Sequence, residues 1–103
     1  MTTRAVTESP LHQGEDEQIV YTLTTTPWGT TPTSVAVVVK DLTNANLAVT
    51  STVMPTNSPT VNGDVITLSP LKLLTAGHTY RVEVKFTAGG NVYEAHCDVV
   101  AEG

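Results

Sequence analysis

The 103-residue sequence predicts an all-β domain, an antiparallel sandwich of about seven short strands. Three observations predict it. Thr occurs 19 times and Val 15 times, together a third of the chain, and both are β-branched residues that suit a pleated sheet better than a helix. Clusters of Pro, Gly and Asn interrupt the apolar segments at the spacing of a small two-sheet domain. Near the C-terminus, two alternating segments flank Gly89-Gly90, a two-residue hairpin turn. Hydrophobic residues make up 40% and charged residues 15%, which excludes a disordered tail or a coiled coil and leaves one domain with a core of its own.

Taken in order, residues 1–16 are polar and irregular and are expected as an N-terminal arm, with a short first strand around Arg4–Thr7. Residues 17–103 are the expected sandwich. Ile19, Tyr21 and Leu23 alternate with Thr22 and Thr24 as in a half-buried strand. Two prolines and a glycine between Thr26 and Thr33 break it. Ser34–Leu42 is a strand, nearly continuously apolar over Val35–Val39. Thr43–Asn46 is a turn, and Leu47–Val53 is expected as the returning strand of a hairpin. Residues 54–63 read as a loop or irregular edge. Asp64–Ser69 is a short strand stopped by Pro70, and Leu71–Gly77 is a crossover with room for one helical turn.

The last hairpin carries a register. With Gly89 and Gly90 as the turn, Phe86 faces Tyr93, Val84 faces Ala95, Val82 faces Cys97 and Tyr80 faces Val99. On the other face Lys85 meets Glu94, Glu83 meets His96 and Arg81 meets Asp98. A slip of one residue would mix the apolar and charged faces.

The stretch Leu74-Thr-Ala-Gly77-His-Thr-Tyr80-Arg-Val82-Glu-Val84 resembles the entry to the penultimate strand of fibronectin type III and related immunoglobulin-like domains. The resemblance implies that Tyr80 is a tyrosine corner whose hydroxyl bonds to the preceding loop, that Gly77 allows a tight approach and that Leu74 plugs the sandwich end. Cys97 without a partner and Trp28 in a Pro-Trp-Gly loop depart from antibody-type domains. In composition and architecture the chain also looks like the small, Thr/Val-rich, immunoglobulin-like proteins of tailed-bacteriophage virions.

Ten acidic residues against five basic ones give a net charge of -5. Arg4, Lys40, Lys72, Arg81 and Lys85 form no run, so phosphate-driven nucleic-acid binding is not expected. Attraction to an anionic membrane is not expected either. The single cysteine forms no intramolecular disulfide. The first ten residues contain no apolar segment of a secretory signal, and the expectation is a protein made in a host cytoplasm and used without export.

No nucleophile elbow, phosphate loop or dinucleotide fingerprint occurs. No catalytic residue, cofactor or metal site is therefore expected. Glu94, His96 and Asp98 share one strand face with Glu83 and have metal-ligating chemistry, but Arg81 and Lys85 compete for the carboxylates. A solvated ladder is the expectation. Asn62-Gly-Asp64 reads as a turn. Cys97 has inward parity and reads as a small buried hydrophobe.

Trp28 is either a cover over the open end of the sandwich or an interface anchor. Val38 and Val92 are expected as an apolar patch on the charged face, and the final strand as a sheet edge. The functional expectation is a non-enzymatic bacteriophage virion component: a capsid decoration, neck or tail accessory subunit that docks onto capsid, neck or tail proteins and forms homo-oligomers within the particle. A bacterial cell-surface adhesion or carbohydrate-binding module is the alternative.

Overall fold

The computed structural model describes residues 3–5, 11–26 and 28–103. Among these residues the elements are β1 (Thr3–Ala5), β2 (Leu11–Gly14), β3 (Thr22–Thr24), β4 (Thr33–Asp41), β5 (Leu47–Ala48), a helical turn α1 (Thr50–Val53), β6 (Thr60–Asn62), β7 (Val65–Thr67), β8 (Thr79–Ala88) and β9 (Asn91–Glu102). The larger sheet runs β1-β9-β8-β4-β5, with β2 also on β9, and the smaller runs β3-β7-β6. This is an all-β sandwich whose strand order is compatible with an immunoglobulin-like domain.

The β8–β9 hairpin has the register that its alternation predicts, from Thr79 opposite Val100 to Ala88 opposite Asn91. Gly89 and Gly90 have φ of 57° and 81°, the positive values that a tight type I′ turn requires at both positions. Val82, Val84 and Phe86 are buried with Ala95 and Val99 across the ladder. Cys97 is half-buried rather than fully buried. β4 lies on the other side of β8 and alternates in exposure: Val37 and Val39 enter the core while Ala36 and Val38 face outward. Ile66 and Leu68 close the core from the smaller sheet, with Val53, Met54, Leu71 and Leu74 from the connections.

Four expectations change. The final strand is not an edge: β1 pairs with β9 at Glu94–His96 and β2 at Val99–Glu102, both parallel. Residues 11–14, expected within an arm, are therefore part of the larger sheet, and Val6 and Thr7 of the expected first strand lie outside the described residues. The expected strand Leu47–Val53 stops after Ala48. There the Val49 amide donates to the Val39 carbonyl and the Val39 amide donates to Thr50 Oγ1, both at 2.9 Å. A side chain thus takes over the ladder, and the chain coils inward to bury Val53. The one helical turn falls here rather than in Leu71–Gly77, where Leu71 bridges to Ile19 and Leu73 takes a φ of 58°.

Candidate functional site

The loop between β3 and β4 carries Trp28 at the end of the sandwich that also holds the Gly89-Gly90 turn. It is a built loop. The Trp28 and Gly29 amides both donate to the Thr25 carbonyl at 2.9 Å. The buried Thr25 hydroxyl donates to the Gly29 carbonyl, also at 2.9 Å. Asp64, in the β6–β7 turn, accepts from the Thr31 amide and the Thr26 hydroxyl at 3.0 Å each. The Asn62-Gly-Asp64 turn thus works as a tie between loops. Trp28 is half-buried, packs on the core and lies 5.9 Å from Phe86 between ring centroids; Phe86 lies 5.7 Å from Tyr93. The indole therefore has one face on the sandwich end and the remainder at the surface. Gly29 sits so close to β8 that a Cβ there would lie 2.8 Å from that of Ala88.

On the outer face of the larger sheet the expected rows are present in register, with different pairing inside them. Arg81 Nε donates to Asp98 Oδ1 at 2.9 Å, and this hydrogen bond holds the guanidinium pKa above its ordinary value. Glu83 is engaged from β4, with Lys40 Nζ at 3.4 Å, rather than by His96. The Nδ1 atom of His96 is buried without a hydrogen-bond partner. Among the described residues no three His, Cys, Asp or Glu side chains are grouped to hold a metal ion.

Val38 and Val92 are 39% and 47% exposed on this face, but they do not form one patch. Val38 shares a row with Glu83 and His96, Val92 with Thr87, and Lys85 and Glu94 lie in the row between. Ladder spacings put the two valines roughly 15 Å apart.

At the opposite end, the Thr75 amide donates to the Tyr80 hydroxyl at 2.8 Å. Tyr80 and Leu74 are buried. Gly77 has φ of 87° and nothing within 4 Å of a Cβ placed on it. Glycine is needed there for its dihedral, not for the close approach that the resemblance implies. Asp41, buried at the end of β4, accepts from the Thr43 and Asn44 amides and lies 2.8 Å from His78 Nδ1.

Gln13 is a determinant that sequence reasoning missed, because an arm was expected there. Its fully buried amide donates to the Leu71 carbonyl at 2.7 Å and the Glu17 carbonyl at 3.1 Å, and accepts from the Tyr21 hydroxyl at 2.8 Å. One side chain thereby joins β2 to the crossover and to the strand entering β3. Burial, with Cys97 and Glu17 nearby, pushes the Tyr21 phenol pKa up.

The smaller sheet has the most uniform surface. Leu23 and Ile66 face the core, so the opposite face carries the rows Thr22–Thr67–Thr60 and Thr24–Val65–Asn62. Four of these six residues are exposed and two are half-buried. No charged residue occurs from Gln18 to Val39, a signal readable in the sequence. No family model matches the sequence, and no curated protein and no solved structure is significantly similar to it. The fold and these surfaces define a β-sandwich module with a charged sheet face on one side and a neutral, hydroxyl-rich face on the other.

Proposed function

We propose that this chain is a non-enzymatic docking subunit of a bacteriophage virion, a capsid decoration, neck or tail accessory protein. The observation that carries the docking role is the neutral outer face of the smaller sheet, where Thr22, Thr24, Thr60 and Asn62 stand exposed with no charge among them. A neutral face of short side chains can be desolvated against a neighbouring protein without stranding an ion. Val20, which shares the parity of Thr22 and Thr24, adds an exposed apolar contact. Many weak contacts repeated over a particle reach useful avidity. The virion assignment adds the likeness in composition to small Thr/Val-rich virion sandwiches.

The test is mass spectrometry of purified tailed-phage particles whose genome encodes the chain, followed by rebinding of the purified protein to particles lacking it. A fixed copy number and saturable rebinding support the proposal. Absence from particles, with retention on an immobilised glycan, replaces it with the surface-module reading. Val38→Asp and Val92→Asp alter the surface alone and report on the charged face. Trp28→Ala also removes a contact with Phe86, so its binding must be read beside its stability.

A further inference from the structure

Among the described residues most sheet edges are short or blunted, and the larger sheet ends on one side in the three- and four-residue strands β1 and β2. β9 is covered by β1 and β2. The free side of β4 is occupied by Thr50 at Val39 and by Asn57, whose amide donates to the Val37 carbonyl at 2.9 Å, and β4 has an irregularity between Thr33 and Ala36 with Ser34 at φ 53°. β5 is two residues long. β6 turns only Val61 outward, beside Pro59, which has no N–H. Short strands, bulges, prolines and covering segments are the devices by which sheets avoid pairing with other chains.

β3 is also short, three residues, but no proline and no positive-φ residue interrupts Gln18–Thr26. The Leu68 amide donates to the Tyr21 carbonyl and the Thr25 amide to the Asp64 carbonyl, while Ile19 and Leu71 exchange both bonds. Odd-numbered residues therefore point their backbone groups at β7, and the N–H and C=O groups of Val20, Thr22 and Thr24 point away from it. Among the described residues no strand lies on that side.

We propose that this edge is a homotypic interface: Val20–Thr24 pairs antiparallel with the same segment of a second copy, joining two three-stranded sheets across a two-fold axis. The inference rests on the docking role proposed above and names one of its contacts. The occupant follows from the residues. With Thr22 opposite Thr22 of the second copy, Val20 faces Thr24 and Thr24 faces Val20. These are three closely hydrogen-bonded pairs, each exchanging two N–H···O bonds. The side chains on the outer face then meet as Thr–Thr and Val–Thr pairs, which are favourable cross-strand neighbours. On the core side the half-buried Tyr21 and Leu23 face Leu23 and Tyr21. Each copy carries a charge of -5, and Gln18–Val39 is a stretch where two copies can touch without bringing like charges together. The paired area is small, so the contact is weak for one pair and suited to repetition in an assembly.

The symmetry gives a specific test, because one substitution at Thr22 appears twice, directly opposite itself. Sedimentation velocity of the full chain from about 1 µM to about 1 mM, where even a millimolar contact is half formed, should show a reversible monomer–dimer equilibrium. Thr22→Lys and Thr22→Glu should each raise the dissociation constant about tenfold or more, and an equimolar mixture should restore it. Val61→Lys, on the blunted edge, should match the wild type, and circular dichroism confirms the fold of each variant. A wild-type chain still monomeric at the top concentration overturns the proposal, as does a mixture no tighter than its components. The same samples separate this from the docking role. Failure to dimerise with intact particle binding removes the homotypic interface alone, whereas dimerisation without particle binding removes the virion assignment alone.

Discussion

The Tyr80 hydroxyl accepts a hydrogen bond from the Thr75 amide at 2.8 Å, so the loop entering β8 is fastened to that strand's own second residue. Replacing Tyr80 by Phe keeps the buried ring and removes only this bond. The expected loss is about 0.5–1.5 kcal/mol, read as a lower urea midpoint with an unchanged slope. A neutral result would mean that the loop is held by its other bonds, from Gly77 to Ala101 and from His78 to Thr75.

Gly29→Ala tests how tightly the Trp28 loop is seated. The new methyl would sit 2.8 Å from the Ala88 side chain, closer than packed carbons allow, and should cost about 1–3 kcal/mol. Ala88→Gly in the same molecule removes the clashing atom. The double variant should therefore be more stable than the sum of the two single changes, measured as a double-mutant cycle by thermal unfolding.

Gln13→Ala tests whether the N-terminal strand belongs to the fold. It leaves the Tyr21 hydroxyl without its acceptor and removes one of the two donors to the Leu71 carbonyl, which keeps the Ile19 amide, an expected loss of about 1–3 kcal/mol. Amide exchange in β9 should also accelerate at Val99–Glu102, where β2 pairs. For the same reason a deletion of residues 1–14 uncovers that edge and is not a neutral truncation.

Tyr21 gives a pH dependence whose sign follows from its surroundings. Its pKa is raised above 10.0 in the folded chain, so the folded state holds the phenol proton to higher pH than the unfolded state does. The resulting stability is complete below pH 10 and is lost as pH rises through the higher folded value. Urea titrations at intervals above pH 9 should show the wild type losing stability more steeply than Tyr21→Phe. Parallel slopes would assign the alkaline loss to other groups.

What the sequence determined by itself is local. The whole β8–β9 register was legible because alternation sorts apolar from charged residues and Gly89-Gly90 supplies the positive φ of a two-residue turn. The corner was legible through the resemblance of Leu74, Gly77 and Tyr80 to the entry of the penultimate strand in fibronectin type III-like domains, a motif that closes within a few residues. The tertiary structure decided what depends on distant segments. Whether β9 is an edge turns on its pairing with residues nearly the whole chain away, since Leu11 lies opposite Val99. Residues 11–14 carry too weak an alternation to announce that pairing. The Gln13 network exists only once β2, Glu17, Tyr21 and Leu71 have converged. The end of β5 was decided by the Thr50 hydroxyl meeting Val39, a contact that strand propensity does not encode. Among the described residues the side of β3 away from β7 is the remainder of these choices: with β1 and β2 on β9, the backbone groups of Val20, Thr22 and Thr24 face outward. Alternation and turn chemistry act over a few residues, whereas an edge is a property of the completed sheet.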